Sequence, residues 1–195
     1  MKKILTFLFL IMMFSMIQAP TAEAWTGKTH SDIASQVYYS LPADVQTKLS
    51  LKDMRDGSDD PDFKFFDYSY HKYPASYSKA TQWLDQGQLA YQNGDYKMAS
   101  YCFGVASHYI SDSFAAPHCV DGTLGYHTIY ELQAILLTPQ ITPRSGDLKS
   151  ALESGHVNGE YDWNSWMMSR SDIYVQKDLN QAASTSYVAI KSRIS

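Results

Sequence analysis

The stretch Asn93-Gly94-Asp95-Tyr96-Lys97-Met98-Ala99-Ser100-Tyr101-Cys102-Phe103-Gly104-Val105-Ala106-Ser107-His108-Tyr109-Ile110-Ser111-Asp112-Ser113-Phe114-Ala115-Ala116-Pro117-His118 decides the fold. Asn-Gly-Asp is a turn signal, and the segment from Tyr96 to about Phe114 reads as a helix that Pro117 ends. Tyr101, Val105, His108 and Asp112 fall on one face of that helix, so a histidine and a carboxylate four residues apart point the same way, toward the core. A carboxylate on an apolar stripe needs a compensating charge. A salt bridge to Asp112 beside a satisfied core histidine would supply it, and so would a metal ion shared with His108.

Outward toward the C-terminus, His118 follows Pro117, and His127 and Glu131 form a second histidine/carboxylate pair at helical spacing. Two such pairs with a histidine between them favour the metal reading. Further helices are expected over Tyr126 to Leu137, Asp147 to Glu153 and Ser165 to Ile194. His156, in Ser154-Gly155-His156-Val157-Asn158-Gly159, reads as a loop histidine. Trp83, Trp163 and Trp166 read as core or rim aromatics.

Outward toward the N-terminus, a helix is expected from Ser78 to Asn93. Before it, Asp53 to Tyr77 reads as 25 residues of loop, with Phe63, Phe65, Phe66, Tyr68, Tyr70, Tyr73 and Tyr77 crowded into its second half. That loop offers Asp62 and His71 as ligands, and on chemistry alone Asp59 or Asp60 would serve as well as Asp62. His30, Ile33, Ala34, Val37 and Leu41 mark the core face of a first helix, capped at Thr29 and ended by Pro42. The fold class is therefore all-α, a single-domain multi-helix fold, without internal repeats.

Lys2 and Lys3, the apolar run Ile4 to Ile17 and the small-residue stretch ending Ala22-Glu23-Ala24 read as a secretory signal peptide over residues 1–24. Cleavage there leaves residues 25–195 as one domain, with a free α-amino group on Trp25 that can chelate a metal together with its own carbonyl. A secreted or extracytoplasmic location follows as an expectation. The full chain carries a formal charge of −4, and losing Lys2, Lys3 and Glu23 makes it more acidic. No basic surface suits a stable nucleic-acid partner. Cys102 and Cys119 allow one disulfide at most.

Trp25, the segment Gly57 to Asp62, the His108-x-x-x-Asp112 helix with Pro117-His118, and the His127/Glu131 pair together resemble the zinc-dependent phospholipase C family, which shares its fold with the S1/P1-type nucleases. The resemblance covers nearly all of residues 25–195. It implies a trinuclear zinc cleft: one ion on Asp62, His71, His108 and Asp112, a second on His118, His127 and Glu131, and a third on the Trp25 amine and carbonyl, His30 and a bridging Asp112. The Gly-x-x-x-x-Asp element selects Asp62, and the resemblance makes Asp62 the carboxylate that orients or deprotonates the attacking water. The implied reaction is hydrolysis of a phosphodiester by metal-activated water. The expected substrate is a phospholipid that loses its phosphorylated headgroup, and peripheral membrane contact is possible through the aromatic segment. Glu131 favours this branch over the nuclease branch, which tends to carry aspartate there. A nuclease or other phosphodiesterase is the alternative, and a non-catalytic zinc-stabilised binding protein comes third. The His118 to His127 interval is shorter than in toxin-like members. Their membrane-binding β-sandwich is not part of this sequence, so packed bilayers are expected to be cleaved more slowly than monomers or mixed micelles.

Overall fold

A computed structural model describes residues 25–123, 125–142 and 146–194; the signal-peptide reading falls outside them. Among the described residues there are eight α-helices and no strand: α1 Gly27–Ser40, α2 Ala43–Gln46, α3 Leu51–Asp60, α4 Ala75–Gln92, α5 Tyr96–Asp112, α6 Tyr126–Ala134, α7 Leu148–Ser169 and α8 Asp172–Ile194. A π-helical turn, Pro61–Phe65, and two 3₁₀ turns, Tyr68–Tyr70 and Ala116–Cys119, complete the list. No described helix is long and apolar enough to cross a membrane.

The bundle is built around α5. Asp95 caps it by accepting from the Met98 amide, and every residue from Cys102 to Asp112 is buried. A helix without a solvent face must be enclosed on all sides. Helices α3, α4, α8 and α1 do so. The closest approach is to α3, where the backbones nearly touch. A Cβ placed on Gly104 would stand 2.0 Å from the Met54 carbonyl oxygen, and one on Gly57 would stand 2.2 Å from the Tyr101 carbonyl oxygen. Two glycines facing each other's helix thus seat α3 on α5, and Gly57 at the head of the Gly-x-x-x-x-Asp element has a packing reason.

Three expectations need correction. The segment from Asp53 is not a long loop. Ser50 caps α3 by accepting from the Asp53 amide, and the helix runs through Gly57 to Asp60 before the π and 3₁₀ turns. The helix expected over Asp147 to Glu153 extends to Ser169, and its glycines do not end it: Gly155 lies under the Phe114 ring and Gly159 under Cys119 Sγ. His156 is therefore helical. The final helix starts at Asp172 rather than Ser165, because the chain reverses at Arg170, which adopts a left-handed conformation at φ 55°. A smaller shift concerns the first helix, which Thr26 caps instead of Thr29. Both cysteines are free and buried, so they form no disulfide with each other.

Candidate metal centre

The geometry follows from where α3 ends. Because α3 lies on α5, the chain leaves Asp60 directly over the C-terminal half of α5, and the π-helical turn then aims Asp62 at His108 and Asp112. His71 arrives from the far side of the second turn. The result is a buried cluster. His71 Nδ1 lies 2.9 Å from Asp112 Oδ2 and 3.5 Å from Asp62 Oδ1, and His108 Nε2 lies 3.1 Å and 3.8 Å from the same two oxygens. From α1, His30 Nε2 reaches to 3.4 Å of Asp112 Oδ1 and 3.8 Å of Asp62 Oδ2, and its ring stacks on His108 at 3.8 Å between centroids. Asp59 and Asp60 are engaged elsewhere. Asp59 accepts from Ser31, while Asp60 holds Lys64 and the Tyr101 hydroxyl.

Beside this cluster stands a second. His127 Nε2 is 2.7 Å from Glu131 Oε1 on α6, and the His118 ring lies 5.1 Å from that of His127. The two groups are joined, since His118 Nδ1 lies 3.0 Å from the His71 carbonyl oxygen. Trp25 is fully buried, and its indole N–H donates to the Ser111 carbonyl at 3.1 Å, one residue before Asp112. All nine sequence-predicted residues are buried or nearly so, and they gather around one end of α5.

The outward nitrogens of the histidines are held by groups that sequence reasoning missed. His108 Nδ1 pairs with the Ser58 carbonyl at 2.7 Å. The Nδ1 atoms of His30 and His127 face the hydroxyls of Ser111 at 3.1 Å and Thr123 at 3.3 Å. His30, His108, His118 and His127 therefore present Nε2 to the interior. His71 is reversed: Nδ1 faces the cluster, and Nε2 points to Asp67 at 3.5 Å, a carboxylate that itself accepts from Tyr109 and pairs with Lys79. Outer partners of this kind fix tautomer and ring orientation at metal sites. Their only sequence signal would have been the i,i+4 spacing of Asp67 and His71, which the loop reading hid.

The cluster holds buried polar atoms and titratable groups displaced from their ordinary behaviour. Nε2 of His30 and of His127 and both Asp112 oxygens are buried, yet none makes an aligned hydrogen bond. Burial, then His108, holds the His30 imidazole well below its ordinary value, and burial pushes His118 down to about 4. Burial works against charge on His108 as well, but the neighbouring Asp112 carboxylate overcomes it and pushes His108 up to about 9. Burial would raise the Asp112 carboxyl, while His108 and His30 hold it well below the usual carboxylate range. His30 and His118 are thus held neutral beside an ionised Asp112, and imidazole nitrogens together with carboxylate oxygens are donors that zinc prefers. His30, His108 and Asp112 form one group whose donor atoms could hold an ion, and Asp62, His71 and His108 form another.

A cavity of about 210 Å³ opens onto the second cluster, lined by Tyr68, His71, Lys72, His118, Asp121 and His127 among others. A much larger one, about 1340 Å³, lies between α4, α7 and α8 and touches none of the nine residues. The smaller is the one bordered by candidate ligands, His71, His118 and His127.

Fold and site define an all-α protein with a buried cluster of histidines and carboxylates that could hold metal ions. The family model for zinc dependent phospholipase C matches residues 29–188, so the chain belongs to that family, and it is a zinc-dependent hydrolase of the phospholipase C type. No curated protein matches the chain.

Proposed function

We propose that this chain binds three zinc ions and cleaves the phosphodiester of a phospholipid on the glycerol side, releasing a phosphorylated headgroup. The observation that carries the reading is the convergence of imidazole nitrogens on Asp112, whose two carboxylate oxygens lie near three histidines from three parts of the chain. Asp62, His71, His108 and Asp112 would hold one ion; His118, His127 and Glu131 a second; and His30, Asp112 and the terminal amine and carbonyl of Trp25 a third. Burial of the Trp25 indole against Ser111 supports the third position, because it brings the start of the domain to the end of α5. Zinc, when bound, supplies positive charge for the phosphate oxygens and acidifies bound water. Asp62 is the carboxylate suited to orient that water and take its proton. Tyr68 steadies Asp62 by donating to its backbone carbonyl at 3.2 Å.

The substrate reading rests on family membership and on Glu131. The acidic chain would repel a long polyanion everywhere except at the centre. Exposed Phe63, Phe66 and Tyr70 on the turns that carry Asp62 and His71 suit peripheral contact with a lipid surface. The mature enzyme would be extracytoplasmic and begin at Trp25, which N-terminal sequencing of exported material decides. The central test compares headgroup release from short-chain phospholipid with nucleotide release from single-stranded DNA and RNA, at equal phosphodiester concentration with zinc present. Faster headgroup release is expected; nucleotide release without headgroup release would replace this reading with a nuclease.

A further inference from the structure

Asp178 is a buried carboxylate that the proposed reaction does not use. It sits on α8, in the core, and its Oδ2 accepts two hydrogen bonds: the Tyr130 hydroxyl at 2.6 Å and the Ala116 amide at 3.1 Å. Burying a carboxylate is costly, and an apolar residue of similar size would fill the same space without that cost. What the two bonds connect accounts for its presence. Ala116 opens the 3₁₀ turn that carries His118, and Tyr130 lies on α6 between His127 and Glu131. These two arms are separate pieces of chain, joined through the segment around Val120 to Gly125. One oxygen atom on a third element holds both.

Each arm also has its own seat in the bundle. The 3₁₀ turn rests on α7, where Gly159 gives room to Cys119 Sγ, whereas α6 packs on α8. Tyr130 is wedged among Trp25, Trp163 and Trp166, so its hydroxyl is a fixed point. The Lys177 ammonium is engaged with the Asp162 carboxylate at 2.7 Å, and the hydrogen bonds of Asp178 run to the two arms. Second-cluster geometry must be held to within a few tenths of an ångström for tight metal binding, and outer partners commonly supply that precision.

We infer that Asp178 is a positioning residue for the second zinc subsite, holding the His118 arm and the His127/Glu131 arm in register through its bonds to the Ala116 amide and the Tyr130 hydroxyl. The inference rests on the reading that His118, His127 and Glu131 bind zinc. Asp178→Asn weakens both bonds, and Tyr130→Phe removes only one while leaving the carboxylate in place. Each should weaken one zinc ion by about 10- to 100-fold and leave the other two unchanged.

The experiment measures zinc stoichiometry and affinity on the full mature protein by competition with a coloured chelator, alongside cobalt-substituted absorption spectra that report ligand geometry. Wild type, Asp178→Asn, Tyr130→Phe, His118→Ala and the pair Asp178→Asn/His118→Ala are compared. The expected result is selective loss of one ion in each single variant, with no further loss of affinity when Asp178→Asn is added to His118→Ala. A purely structural role would instead lower thermal stability while leaving zinc affinities and cobalt spectra at wild-type values. Should Asp178→Asn not fold, Tyr130→Phe decides alone. Zinc loss on His118→Ala, with none on Tyr130→Phe or Asp178→Asn, overturns the positioning role and leaves the subsite intact. Indifference of zinc binding to His118→Ala overturns the subsite reading and the inference together.

Discussion

Replacing Gly104 by alanine tests whether the contact between α3 and α5 builds the metal centre. The new methyl carbon would stand 2.0 Å from the Met54 carbonyl oxygen and 2.8 Å from its carbon. An unstrained carbon-to-oxygen contact needs about 3.3 Å, so the helices must part locally by about 1.3 Å. The opposing atoms are helical backbone and cannot swing aside. Overpacking of this kind costs about 3 kcal/mol, and the better helix propensity of alanine offsets about 1 kcal/mol, leaving about 2 kcal/mol of destabilisation. A domain of this size loses about 2–4 °C in Tm per kcal/mol, so a drop of about 4–8 °C is expected. The bond from His108 to the Ser58 carbonyl spans the same two helices at 2.7 Å, so zinc affinity should fall by about 10-fold or more as well. Thermal melts with and without chelator, together with zinc competition, measure both effects. Gly125→Ala is the control, because a Cβ there meets nothing within 4 Å. A Gly104→Ala protein with the melting temperature and zinc affinity of wild type would refute the argument.

Asp67→Asn should weaken zinc by about 10-fold or more without unfolding the protein, since it leaves His71 without its outward carboxylate; chelator competition reads this directly. In the zinc-free protein, the depressed His30 and His118 make stability fall as pH drops from about 6.5 toward 4, because the unfolded chain takes up protons that the fold refuses. His108, held protonated up to about 9, contributes stability that is lost as pH rises from 6.5 through 9. Urea midpoints of chelated protein should therefore peak near pH 6.5, and a steady climb from pH 6 to 9 would contradict the assignment. Cys102 and Cys119 are buried, and burial raises both thiols, Cys102 to about 11; a thiol reagent should label neither in the native state and both in guanidinium.

Where side chains carried the information, the sequence was readable. The apolar stripe of α1 and the two i,i+4 pairs, His108/Asp112 and His127/Glu131, follow from helical period alone, and the structure brings each pair inward. Where backbone carried it, the pattern failed. Helix α3 is mostly polar, with Met54 as its one buried apolar side chain, and it is held by a glycine pressed against α5, which looks like a breaker in a linear reading. Gly155 and Gly159 misled for the same reason, since each receives another segment's side chain instead of bending its own helix. Asp59, Asp60 and Asp62 were chemically equivalent until the π-helical turn gave only one of them the correct direction. The outer partners of the histidines are backbone carbonyls, hydroxyls and one aspartate, groups too common in any chain to announce themselves.

The complete enclosure of α5 changes what variation the chain can tolerate. On an ordinary amphipathic helix, substitutions are accepted every third or fourth position, and a scan of mutant fitness oscillates with the turn of the helix. From Cys102 to Asp112 no position faces water. Each side chain is committed to a neighbouring helix, to the cluster of histidines and carboxylates or, at Gly104, to being absent. Mutational tolerance along this segment should form a flat trough without periodicity, and the drift that separates relatives should accumulate on the outer faces of α4 and α7 instead.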